Sequence, residues 1–181
     1  VHKIYFDIET TGLDTIKDQP IQVAYIIEGP KEGGELLGNC FYIRSPKPLD
    51  SKITQLTGIS QEYLDAVGMF AEAAAEAWHR VIWSHQPCLL IGYNCINFDL
   101  PMLQNFLSTY KQGRFKHPPL VGVIDVMHLL NVRFNTSKWL KLGEATRLLG
   151  ISFDKENLHD AMEDVRLTRL VYKKIQDSFK I

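Results

Sequence analysis

Long apolar runs are missing from this sequence: none approaches the ~20 consecutive residues that a membrane-crossing helix needs. The first strand-like segment begins almost at the first residue, so the expectation is no signal peptide ahead of it, no membrane partner and a cytoplasmic location. Cysteine is scarce. Cys40, Cys88 and Cys95 are odd in number and contain no CxxC pair, which indicates neither a disulfide framework nor a zinc site. Internal repeats, low-complexity tracts and linker-like stretches are absent as well, which excludes fibrous and repeat architectures. A single domain over residues 1–181 is expected. Net charge is nearly absent too, at a formal −1, so only its distribution can bear on a polyanionic partner.

What is there is the make-up of a soluble globular domain, 45% hydrophobic and 23% charged over 181 residues, enough to bury a substantial core. The charge is uneven. Between residues 101 and 147 the bases Lys111, Arg114, Lys116, Arg133, Lys138, Lys141 and Arg147 face only Asp125 and Glu144. A basic stretch beside acidic sites suits a polyanion held next to metal-binding carboxylates, and it equally suits a mixed solvated surface.

The apolar pattern predicts strands at the start of the chain, at Pro20–Ile27 and at Leu36–Arg44, with short connections that imply antiparallel pairing. A short helix from Ser51 is stopped at Gly58, and helical spacing returns from Phe70 to Trp83. Cys88–Tyr93 reads as a strand buried on both faces, followed by a helix over Phe98–Tyr110 and a fifth strand at Val121–Val126. Helices over Leu142–Leu149 and from an Asp160 cap to about Phe179 complete the chain. Hairpins followed by alternating strands and helices make an α/β protein with a mixed sheet.

Acids stand at three places where a core would not need them. In Ile4-Tyr5-Phe6-Asp7-Ile8-Glu9-Thr10-Thr11-Gly12 the i, i+2 spacing sets Asp7 and Glu9 side by side on one face of a strand, with Phe6 and Ile8 on the other. Like charges that close call for a cation, protonation or dense hydrogen bonding, unless the strand simply runs out into a solvated acidic loop. Asp99, in Asn94-Cys95-Ile96-Asn97-Phe98-Asp99, follows a buried strand, where ligand sites of α/β sheets gather, or serves as a helix N-cap. Asp164 shares a helix stripe with Thr168, Val171 and Ile175, so it faces the core and needs a partner. Four carboxylates would balance two divalent cations, and oxygen-only ligation indicates Mg²⁺ or Mn²⁺. His159, just before the last helix, is a candidate general base, against the alternative of a structural histidine.

These segments resemble the DEDDh 3′-5′ exonucleases. Phe6 to Gly12 is similar to the first motif, Tyr93-Asn94 through Phe98-Asp99 to the second, and His159 with Asp164 to the third in H-x4-D spacing. In the tyrosine subclass a Tyr would stand at position 160, which here is Asp160. The resemblance implies an RNase H-like fold, a five-stranded mixed sheet with strand 2 antiparallel, flanked by helices. It further implies removal of nucleoside 5′-monophosphates from a nucleic-acid 3′ end with two metal ions held by Asp7, Glu9, Asp99 and Asp164, and His159 taking the proton from water. Thr10, Leu56, Thr57 and Phe98 would hold the terminal nucleotide, although Leu56 and Phe98 also suit ordinary core packing. The second and third motifs, with Leu56-Thr57-Gly58-Ile59-Ser60, are similar to the nuclease domain of bacterial exonuclease I. That favours single-stranded DNA; RNA trimming and proofreading beside a polymerase partner, or action as a homodimer, stay open.

Overall fold

The computed structural model describes residues 1–31, 34, 36–111, 120–135, 138–153 and 160–178. Its centre is β1 (His2–Thr10), which pairs antiparallel with β2 (Pro20–Glu28) and parallel with β4 (Cys88–Gly92). Outside these lie β3 (Leu36–Tyr42), antiparallel to β2, and β5 (Leu120–Asp125), parallel to β4. The strand order is β3-β2-β1-β4-β5, the RNase H-like arrangement that the resemblance implies.

Period-two alternation along β1 divides its side chains between two layers. Phe6 and Ile8 pack with Trp78 of α3 (Ala71–Ser84) and with Met102 and Phe106 of α4 (Asp99–Lys111). Tyr5, on the opposite face, packs with Val126 and Leu130 of α5 (Val126–Phe134), Ala145 of α6 (Leu142–Leu148) and Val165 and Val171 of α7 (Ala161–Asp177). The stripe expected on the last helix is therefore real: Thr168, Val171 and Ile175 are all fully buried. Asp160 caps α7 as expected, accepting hydrogen bonds from the backbone of Met162 and Glu163.

Two helices go beyond the sequence reading. α1 (Ser51–Thr57) ends at Gly58, whose φ of 72° is the left-handed conformation that glycine adopts without strain. Ser60 then caps α2 (Gln61–Val67) by accepting from the Tyr63 backbone, a second short helix that the sequence reading did not include. The fifth strand ends at Asp125 rather than Val126, and Asp125 immediately caps α5. The third strand likewise ends at Tyr42, although Ile43 still donates to the Ile21 carbonyl at 2.8 Å. No helix among the described residues is long and apolar enough to cross a membrane. The cysteines are free, with Cys88 and Cys95 buried. The expected end of the last helix at Phe179 lies outside the described residues.

Candidate active site

Asp7 and Glu9 lie near the end of β1, opposite Ala24 and Gln22 of β2, just before a register shift between Glu9 and Thr10. Phe6 and Ile8 are committed to the α3/α4 layer, so the two acids face the α7 side with Tyr5. There α7, packed along β1, presents Asp164 from its first turn. One carboxylate oxygen from each of Asp7, Glu9 and Asp164 lies within 4.8 Å of the others. Such a set of hard oxygen donors suits a divalent cation.

Asp99 comes from the other layer. It occupies the first turn of α4, is only 4% exposed, and accepts a backbone hydrogen bond from Ile8. It lines the same cleft as the three clustered acids but is not one of the three that meet within 4.8 Å. Of the four acids expected at one place, three offer oxygens within 4.8 Å of one another and the fourth lines the same cleft.

These groups resist ionising together. Burial, followed by the charges of Asp99, Asp164 and Glu9, drives the Asp7 carboxyl well above its ordinary range. Burial with Asp164, Asp99 and Asp160 pushes Glu9 up to about 8. Asp99 is raised to about 7, chiefly by burial, against the opposing backbone N–H groups of Asp99 and Ile8. A bound cation would reverse this balance by compensating the charge that the protein alone holds apart.

The cleft has a volume of about 310 Å³. Besides the acids it is lined by Thr10, Leu13, Ile53, Leu56, Thr57 and Phe98, so all four candidate substrate contacts border it. Leu56 is 52% exposed, so core packing does not account for it. Phe98 both lines the cleft and packs against the α3/α4 core. Thr10 is buried, its hydroxyl donating to the Gly12 carbonyl at 2.6 Å. The next loop is tied by Asp18, which accepts from the Thr11 hydroxyl and the Asp14 backbone. A Cβ at Gly12 would collide with the Asp18 carboxylate, so a larger residue there would push Asp18 away from its place in this tie.

Sequence reasoning missed Asp125. Its Oδ1 accepts from the backbone N–H groups of Asn94 and Met127, both at 3.0 Å, and its Oδ2 accepts from Ile96 at 3.1 Å. It thereby ties the loop leading to Asp99 to the end of β5, with Asn94 in a left-handed turn at φ 57°. The signal available was an acid ending an apolar strand next to the second motif.

Other expectations fare differently. His159, Arg114 and Lys116 lie outside the described residues. Arg133 bonds to Ser178 near the end of α7, and the Arg147 guanidinium sits 5.6 Å from the Phe153 ring centroid.

Comparison with known proteins gives concordant results. The RNase T family, described as exonuclease, matches residues 4–172. The PolC-type DNA polymerase III of Mycoplasma genitalium is 29% identical over 93% of this chain and 11% of its own length. The exodeoxyribonuclease I of Buchnera aphidicola is 28% identical over 93% of this chain and 38% of its own. Exonuclease I of E. coli in complex with a dA16 oligonucleotide superposes with a TM-score of 0.79 at 21% identity, covering 97% of this chain and 41% of that one. The chain therefore spans about a tenth of the polymerase relative and about two fifths of the exonuclease I proteins.

Proposed function

We propose a function from one premise: the chain belongs to the RNase T exonuclease family, which it matches from residue 4 to residue 172. As a domain spanning residues 1–181, it removes nucleotides from the 3′ end of single-stranded DNA. The observation that carries this reading is the meeting of Asp7, Glu9 and Asp164 within 4.8 Å beside Asp99, in a cleft with an exposed leucine and a phenylalanine. The choice of single-stranded DNA draws support from the dA16-bound exonuclease I that shares the fold. PolC-type relatives favour a second setting, proofreading beside a polymerase. Buried free thiols at Cys88 and Cys95 suit a reducing, cytoplasmic location.

Asp7, Glu9, Asp99 and Asp164 would hold two Mg²⁺ or Mn²⁺ ions. When bound, these supply charge stabilisation for the attacking and leaving oxygens of a phosphodiester. Leu56 and Phe98 take the apolar faces of the terminal nucleoside, contacts that every base can make. Thr10 and Thr57 border its sugar. His159 accepts the proton as the water oxygen bonds to phosphorus. The P–O3′ bond then breaks, and the upstream 3′ oxygen leaves and is protonated, which yields a nucleoside 5′-monophosphate.

The test is a gel assay with 5′-labelled single-stranded DNA and RNA in Mg²⁺, in Mn²⁺ and in EDTA. DNA should shorten stepwise from its 3′ end, stop in EDTA and release 5′-monophosphates. Shortening of RNA alone would move the assignment to an exoribonuclease, and no shortening of either would remove it. His159→Ala should nearly abolish turnover while metal-dependent DNA binding persists; near-normal turnover would exclude the histidine as base.

A further inference from the structure

A second cavity, of about 580 Å³, opens beside the acidic cleft and shares Tyr93, Asn94 and Leu142 with it. The remaining lining is Asn97, Met127, Trp139, Leu140 and Lys141. Trp139 is 57% exposed, as Trp83 is at 51%, but it is Trp139 that lines the cavity beside the acidic cleft. Its ring lies 4.9 Å from that of His128 at a tilt of 48°. The His128 Nε2 in turn contacts the Asn97 amide at 3.3 Å, and that amide donates to the Asn94 Oδ1 at 3.2 Å. The wall below is fixed by the Tyr93 hydroxyl, which donates to the Leu140 carbonyl at 2.6 Å. Lys141 lines the cavity, and nearby Lys138 is ion-paired with Glu144 at 3.5 Å.

The sheet order sets which end of the substrate this cavity meets. Thr57 of α1 also lines a pocket with Gln22 of β2 and Tyr42 of β3, so the Leu56/Thr57 wall lies on the β2 side of β1. Tyr93 and Asn94 follow β4, on the other side of β1. A strand whose terminal nucleoside rests on Leu56, with its phosphate at Asp7 and Glu9, therefore continues towards Trp139.

We infer that the cavity bounded by Trp139, Asn97 and Lys141 is a subsite for an upstream nucleotide of the same strand. This rests on the exonuclease reading and extends it to the substrate's form. The indole stacks on the face of an unpaired base, the Asn97 amide is within reach of base-edge atoms, and Lys141 attracts the backbone phosphate. A base seated here has left any complementary strand, so the subsite selects single-stranded 3′ ends several nucleotides long.

Two substrates separate the inference from its premise. The p-nitrophenyl ester of thymidine 5′-monophosphate fills the terminal site and carries only its nitrophenyl leaving group beyond the phosphate, whereas dT15 places further nucleotides across the second cavity. For Trp139→Ala, the ratio of kcat/KM on dT15 to that on the ester should fall roughly tenfold through a higher KM for dT15, the scale of one base–aromatic stack. Trp139→Phe should restore most of that ratio, which a merely structural role would not predict. A ratio within about twofold of wild type for Trp139→Ala, with both substrates cleaved, overturns the subsite and leaves the exonuclease standing. If the wild-type protein cleaves neither substrate, the exonuclease reading fails and the subsite fails with it.

Discussion

Asp7 and Glu9 stand two residues apart on one face of β1, and that spacing governs the terms on which either can carry a charge. The sequence made their adjacency legible because strand periodicity is fixed by the backbone. It did not show how far burial would raise their proton affinity, since that depends on Asp164 and Asp99 arriving from two other helices. Replacing one charge with an amide of the same shape tests the repulsion directly. In EDTA at pH 8, Asp7→Asn should melt roughly 2–4 °C above wild type, the shift expected for about 1 kcal/mol in a protein of this size. In Mg²⁺ the order should reverse, because the wild type gains a bound cation and the variant loses a ligand. Calorimetry in the two buffers checks both halves. A variant that melts at or below wild type in EDTA would show that these acids do not oppose each other. Leu13, which also borders the cleft, could not be read in advance: it sits in a loop whose path depends on Asp18 gripping Thr11 and Asp14.

Elements were legible where their period ran long and obscure where two of them abut. β1, β4 and α7 show clear apolar patterns, and each lies close to its expected position. α2 went unseen because it is only seven residues long and buries Leu64 alone, too short for a helical apolar period to show. α5 went unseen because no loop separates it from β5. Asp125 is both the last residue of the strand and the helix cap, so a change from period 2 to 3.6 happens within one peptide. The same side chain restrains Asn94 and Ile96, which makes it a positioning residue for the segment that carries Asp99. Asp125→Asn keeps the volume but turns one acceptor into a donor facing an N–H group. Urea denaturation should show a loss of about 1–3 kcal/mol, the cost of leaving a buried polar group unsatisfied. The turnover number at saturating Mg²⁺ should fall 10- to 100-fold, as is usual when a group supporting a metal ligand is removed (about one to two decades). Turnover within about twofold of wild type, alongside the stability loss, would confine Asp125 to holding the fold.

Across the whole molecule, α7 meets charge of opposite kinds at its first turn and from its midpoint onward. At the active-site end Asp164 adds to a cluster that is short of cations. From the middle of the helix onward, Arg169 and Lys173 of α7, together with Lys3 of β1, close on Glu28 at 2.9, 3.0 and 3.1 Å. Glu28 is 3% exposed. Burial opposes its ionisation, yet hydrogen bonds from Lys173, Lys3 and Arg169 outweigh it and hold its carboxyl below the ordinary range. The two clusters therefore respond to pH with opposite signs. Glu28 binds protons less readily when folded, so its stabilisation is present above the ordinary glutamate pKa and is lost as pH falls through its lowered value. Asp7, Glu9 and Asp99 bind protons more readily when folded. Their contribution is full below the ordinary carboxylate pKa and is lost as pH rises towards 7 to 8. The metal-free protein should thus be most stable near about pH 4–5, the ordinary carboxylate range that separates the two effects. Mg²⁺ should flatten the alkaline limb alone. Glu28→Gln should cost about 3 kcal/mol at pH 5, the lower end for breaking a buried ion pair because Lys3 and Lys173 are partly hydrated. It should also remove much of the acid limb while leaving the alkaline fall in place. Urea titrations from pH 3 to 9, with and without Mg²⁺, measure all of this. An acid limb that survives in Glu28→Gln would mean that other carboxylates carry it, and that the two clusters along α7 are not set against each other by charge.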